Sequence, residues 1–295
     1  MKLSNGIFAA QLSPEHGALV AALDWAPRNG QAQRLLFRPE DATPGTGSPN
    51  RFGLWPMVPF ANRAFGGIVD DGHFRTRLPI NDPGMQSNIH GFGWQSRWEV
   101  AEQDNDRVVL VHSRTGVGDP YSYEARMTVA LLEDRARFEL AVTSEANQAL
   151  PFGLGFHPWL DCHPDTTLTM HAGGTFAFDP GYRARGLEPY EDGGPYRAGR
   201  SVTQADELAH CFVDWRGPAV FATPSRRLAI ALSAGETLRH PVLWTPPNSG
   251  FVCFEPQSHG IGAPSEPAAR AITPLASLQP GETLSGWMEI KPSRL

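Results

Sequence analysis

From Tyr123 to Thr143 apolar and polar positions alternate with a period of two. Ala125, Met127, Val129 and Leu131 share one face, and Phe138, Leu140 and Val142 repeat the pattern after the turn signal Glu133-Asp134. That pattern predicts an antiparallel hairpin. Further strand signals lie at Val108–His112, Thr167–His171, Leu228–Leu232, Phe251–Phe254 and Leu284–Ile290. Helical periodicity is scarce, and Thr203–His210 is its best short candidate. Two Pro/Gly-rich stretches, Asp41–Asn50 and Gly181–Gly199, are expected as long surface loops of the kind that border binding sites. No repeat or low-complexity linker divides the chain, so residues 1–295 are expected to form one all-β sandwich domain.

Composition supports this reading. Glycine and proline number 30 and 27 among 295 residues, which suits many short strands and turns better than long helices. A formal net charge of -6 provides no basic footprint, so neither nucleic acid nor an anionic membrane surface is expected as a partner. The first 25 residues carry one lysine and no continuous apolar run, and they read as strand and turn rather than as a leader. Three cysteines, Cys162, Cys211 and Cys253, stand far apart and outside any C-x-x-C pairing. Reduced thiols and a cytoplasmic location are therefore expected.

Four clusters set polar, ionisable groups in apolar, strand-like surroundings. Pro59-Phe60-Ala61-Asn62-Arg63 puts a cation beside an aromatic run, as do both snorkelling surface arginines and ligand clamps. Asn88-Ile89-His90-Gly91-Phe92-Gly93-Trp94 flanks His90 with glycines that allow close backbone approach and with rings on which a sugar could stack. A hydrogen-bonded structural histidine fits the same pattern. In Pro151–Trp159, which follows the hairpin, His157 is expected at or just past a strand end, as general acid, metal ligand or turn residue. In Val252–Ser258 a carboxylate, Glu255, ends an apolar strand before Pro256. Buried there, it must be paired, hydrogen-bonded or functional; facing solvent, it needs no partner. The spacing of His157 and His163 matches no common metal motif, and the cysteines supply no ligand pair, so no metal is expected. Nucleotide-binding and serine-hydrolase signatures are missing.

Taken in order, these clusters resemble the aldose 1-epimerase (galactose mutarotase) family from about Leu12 to Ile290. Asn62-Arg63 followed by Gly66-Gly67 is similar to its Asn-Arg motif, and His90-Gly91 with downstream Trp98 to its His-Gly motif. Gly153-Leu154-Gly155-Phe156-His157-Pro158-Trp159 resembles its Gly-x-Gly-x-His-Pro-aromatic motif, Glu255-Pro256 its late Glu-Pro, and Leu278–Glu282 its closing Leu-x-Pro-Gly-Glu turn. The resemblance implies a large twisted antiparallel β-supersandwich that interconverts the α and β anomers of a free aldose without a cofactor. It implies Glu255 as the base at the C1 hydroxyl and His157 as the acid at the ring oxygen. His90 would donate to or position that oxygen, Asn62 and Arg63 would hold hydroxyls, and Trp159 would form an aromatic wall. One position departs: the family usually carries Asp before His in the segment matching Leu208–Phe212, where this chain has Ala209, with Asp206 and Asp214 as nearby substitutes.

On this reading the cleft is open and polar, and the rate peaks near neutrality with Glu255 ionised and His157 protonated. Two other readings share the fold. A carbohydrate-binding protein without turnover is suggested by Ala209. A hexose-phosphate 1-epimerase calls for arginines at the cleft, for which Arg183, Arg185, Arg226 and Arg227 are candidates. A glycosidase would need a second placed carboxylate, and none stands out.

Overall fold

The computed structural model describes residues 1–28, 30–43, 51–203, 208–247 and 249–295. Within it the alternation at 123–144 forms the strands Tyr123–Leu131 and Ala136–Ser144, whose odd-numbered and even-numbered positions, respectively, are buried. They pair antiparallel, with Met127 opposite Leu140 and Val129 opposite Phe138. This hairpin belongs to a nine-stranded antiparallel sheet that also contains Arg107–Arg114, Thr167–His171, Leu228–Ala234 and Thr283–Arg294. Each of these covers a segment with a strand signal in the sequence.

A second sheet, of eleven strands, carries Leu54–Met57, Gly155–Asp161, Phe251–Glu255, Val242–Thr245 and Leu208–Val213 side by side, in that order. Its middle strands are buried on both faces, which explains why 151–159 reads as a continuous apolar run rather than an alternation. Period-two geometry divides their side chains. Leu54, Phe156, Leu160, Val252 and Phe254 join Met127, Phe138 and Leu140 in the main core. The rings of Phe138 and Phe156 lie 6.3 Å apart between their centroids. Burying a side chain of this size contributes roughly 1.5–3 kcal/mol, and many such contacts hold the second sheet's opposite face in place.

Three sequence expectations are revised. Gln204–Glu207, the centre of the expected helix, lies outside the described residues, and Leu208–His210 opens a strand instead. Trp244 and Leu243 supply ladder partners to Ala209 and His210, which overrides their weak helical pattern. Most of the Asp41–Asn50 loop also lies outside the described residues. Gly181–Gly199 is not all loop: Ala184–Pro189 is a strand pairing with Gly174–Phe178. His157 stands inside its seven-residue strand, not past its end. Among the described residues no helix is long and apolar enough to cross a membrane.

Candidate active site

The free face of the eleven-stranded sheet is built by register. Trp159 pairs with Cys253, and the isolated bridge Gly155–Gln257 continues the same register, which sets His157 directly opposite Glu255. Trp55 pairs with His157 on one side, and Val242 pairs with Glu255 on the other. One row across four strands therefore reads Trp55, His157, Glu255, Val242. Two residues along, and so on the same face, a second row carries Trp159, Cys253, Trp244 and Ala209.

Directly opposed strand positions bring side chains within reach of each other. His157 Nε2 lies 3.2 Å from Glu255 Oε1, and both side chains are more than nine-tenths buried. Burial pushes Glu255 up to about 8, against a smaller opposing pull from Arg63. Burial likewise pushes His157 down to about 3. Near neutral pH the pair thus holds one proton, on the carboxyl, and no net charge. The expected ionised Glu255 and protonated His157 are not the resting state, because an ion pair this deeply buried loses more hydration than its attraction returns. His157 Nδ1 and Glu255 Oε2 have no hydrogen-bond partner among the described residues.

His90 reaches the pair from a different direction. It follows the Ser87–Ile89 strand and sits at φ 58°, while Asn62 sits at φ 54°; left-handed backbone is uncommon outside glycine. The two residues bond reciprocally: the His90 N–H donates to the Asn62 carbonyl at 2.8 Å, and the Asn62 N–H donates to His90 Nδ1 at 2.9 Å. A ring nitrogen that accepts is unprotonated, so the proton of the neutral ring sits on Nε2. Burial and the neighbouring His157 and Arg63 hold His90 well below the usual imidazole range. His90 is therefore a fixed N–H donor, its ring edge-on to His157 with centroids 5.3 Å apart.

The same tautomer bears on metal binding. His90, His157 and Glu255 offer ligand atoms within 4.8 Å of one another. A ligating histidine normally donates its second N–H to an acceptor; here the second nitrogen of His90 accepts from backbone. Nε2 could ligate only as an imidazolate, or with the Asn62 bond broken. The donor set does not fit a metal.

These groups line a cleft of about 580 Å³ together with Trp55, Asn62, Arg63, Trp159, Ala209 and Trp244. All six candidate site residues come together here. Arg63 pairs with Asp82 through Nε at 3.3 Å and donates to Asn62 Oδ1 at 3.4 Å. Sequence reasoning missed Arg51, Trp55, Asn81, Asp82, Tyr182 and Trp244, which also line the cleft. Asn81 had a signal in the Asn-Asp-Pro-Gly turn chemistry. Its amide donates to the Ile89 and Gly91 carbonyls and its Oδ1 accepts the Ile89 N–H at 2.6 Å, which fixes the backbone on both sides of His90.

Other candidates lie elsewhere. Asp214 faces Arg216 and Arg239 and does not line the cleft, and Asp206 lies outside the described residues. Arg183 pairs with Glu266, Arg185 with Asp179 and Arg226 with Asp161, while Arg227 caps the Pro224–Arg226 turn. None of the four lines the cleft; among the described residues the arginines that do are Arg51 and Arg63.

The family model of aldose 1-epimerase matches residues 1–291. The chain belongs to the aldose 1-epimerase family. Among relatives of this family member, the uncharacterised protein YphB of Escherichia coli (strain K12) is 26% identical over 260 residues, covering 80% of this chain and 82% of YphB. Two solved structures share the fold. A galactose mutarotase-like protein from Clostridium acetobutylicum superposes with a TM-score of 0.84 at 18% identity, covering 100% of this chain and 95% of that one. The galactose 1-epimerase of Lactobacillus acidophilus NCFM gives 0.79 at 17%, covering 99% and 93%. The fold of this aldose 1-epimerase family member is thus galactose mutarotase-like, as the sequence motifs imply.

Proposed function

We propose that this protein interconverts the α and β anomers of a free aldose by acid–base ring opening and closure. The observation that carries this reading is the buried His157–Glu255 pair, 3.2 Å apart at the base of a sugar-sized cleft. Mutarotation needs one proton acceptor at the C1 hydroxyl and one donor at the ring oxygen, and the pair holds one proton between two such groups. Sugar hydroxyls donating to Glu255 favour its ionised form and drive its proton onto His157. That single transfer makes Glu255 the base and His157 the acid without changing the net charge of the site.

Glu255 then takes the C1 hydroxyl proton as His157 protonates the ring oxygen, and the C1–O5 bond breaks to give the open aldehyde. Rotation about C1–C2 presents the other carbonyl face, and closure returns both protons. The fixed Nε2–H of His90 stabilises the ring oxygen as charge develops there. Asn62 and Arg63 hold hydroxyls, and Trp159 offers an apolar face to the ring. The reaction needs no cofactor, because ring opening supplies the electrophile.

Anomer exchange of a panel of aldoses, followed by magnetisation-transfer NMR, tests this. Wild type accelerates exchange, and Glu255→Gln and His157→Asn each lose about 10²–10⁴-fold. A folded wild type that accelerates no free aldose sinks the reading. Sugar binding without exchange would leave a carbohydrate-binding protein in its place.

A further inference from the structure

The Asn62 turn is held from a second side, by a histidine outside the cleft. The N–H of Ala61, one residue before Asn62, donates to His259 Nε2 at 3.2 Å. The other ring nitrogen, Nδ1, lies 3.0 Å from the carbonyl of Gly260. A carbonyl only accepts and a backbone N–H only donates, so His259 has one arrangement that satisfies both: Nδ1–H with Nε2 bare. Consecutive backbone N–H groups, of Ala61 and Asn62, thus end on two different imidazoles of opposite tautomer. His259 is fully buried and does not line the cleft.

Gly153 leaves room for this ring. A Cβ at Gly153 would lie 2.3 Å from His259 Cδ2 and 2.5 Å from Nε2, closer than atoms can approach. The Gly153 N–H also donates to the Pro59 carbonyl at 2.7 Å, at the start of the segment that His259 holds. The first glycine of the Gly-x-Gly-x-His-Pro-Trp motif therefore makes space for a histidine more than a hundred residues later.

We propose that His259 is a positioning residue for the sugar site: it fixes the Ala61–Asn62 turn, and through that turn the tautomer of His90 and the aim of Arg63. The ring substitutes for a backbone acceptor at a turn whose left-handed φ keeps Ala61 and Asn62 out of any regular ladder. Without it the Asn62 N–H is free to drift from His90 Nδ1, and His90 loses the bond that places its proton on Nε2. The kinetic part of this inference rests on the mutarotase reading; the tautomer part does not.

Long-range ¹H–¹⁵N correlation spectra of the imidazoles test it at neutral pH. Wild type should show His259 protonated on Nδ1 and His90 protonated on Nε2. His259→Phe keeps the ring's bulk and removes the acceptor, and Gly153→Ala displaces the ring; both should turn the single His90 state into a mixture. His259→Gln, whose Oε1 can reach the place of Nε2, should restore it. In anomer exchange, kcat/KM should fall by about 10²-fold in His259→Phe, and His259→Gln should recover most of that. Wild-type His259 protonated on Nε2 overturns the proposal without any variant being made. So does an unchanged His90 tautomer in folded His259→Phe or Gly153→Ala. If no aldose exchanges at all, the mutarotase reading fails, and the tautomer measurement still decides the role of His259.

Discussion

The indole of Trp55 lies against the imidazole of His157, ring centroids 4.2 Å apart and planes 27° from parallel. Trp159 also stacks on His157, with centroids 5.5 Å apart and planes 18° from parallel, so two indoles cover the imidazole. This cover supplies much of the burial that holds His157 down at about 3. Trp55→Ala should let water reach the ring and move its titration upward, towards the ordinary imidazole range. An NMR pH titration of the ring protons checks this. A His157 that still shows no titration above pH 5 would place the cause elsewhere.

Activity should depend on pH through the proton that the pair shares. One proton is held between His157, at about 3, and Glu255, at about 8. Only that one-proton form contains both a donor and an acceptor. The free-enzyme profile, kcat/KM, should be level from about pH 5 to 7 and fall above about 8 as the last proton leaves. A rate unchanged to pH 9 would remove Glu255 and His157 from their roles.

Glu255 also makes stability pH-dependent. Its folded value, about 8, stands above the ordinary 4.5. Its contribution is therefore fully present below about 4.5 and is lost as pH rises through about 8. His157 acts in the opposite sense: its depressed value gives a contribution present above about 6.5 and lost as pH falls towards 3. Glu255→Gln should gain stability over wild type between pH 5 and pH 9, by several kcal/mol at about 1.4 kcal/mol per unit. Urea unfolding at the two pH values measures it; an unchanged difference between the proteins would count against a buried, raised carboxyl.

Ala209 offers a test of sugar choice. It lines the cleft opposite Trp244 in the ladder, on the same sheet face as Glu255. Ala209→Asp adds a carboxylate to a cleft whose lining also includes Val242, Trp244 and Ile261. The ranking of aldoses by kcat/KM should shift by about 10-fold or more towards those with a hydroxyl at that side of the ring. A panel that merely slows uniformly would mean that Ala209 does not set the choice.

The strands and the ionisable residues that line the cleft were legible because the signals for both are local. Alternation located Tyr123–Leu131 and Ala136–Ser144, and short motifs located His90, His157 and Glu255. What long-range pairing decides was not legible. The 203–210 segment reads as weakly helical, yet Ala209 and His210 find partners in a strand more than thirty residues on. The direction of a pKa shift depends on what packs around a group, so the proton on Glu255 could not be read from Glu-Pro. Asp82 and Tyr182 look like ordinary loop residues until the fold brings them beside Arg63.

The row Trp55, His157, Glu255, Val242 separates two kinds of heritable change. His157 and Glu255 face each other because neighbouring strands keep a constant spacing, so their separation is a property of the ladder and not of any loop. Arg63, in the short strand Arg63–Phe65, and Asn81, Asp82 and Tyr182, in connections, reach the same cleft from outside that ladder. Insertions and substitutions there can remodel which molecule fits without moving His157 or Glu255. If the proposed reaction holds, a scaffold divided in this way can diversify its diet while that reaction stays the same.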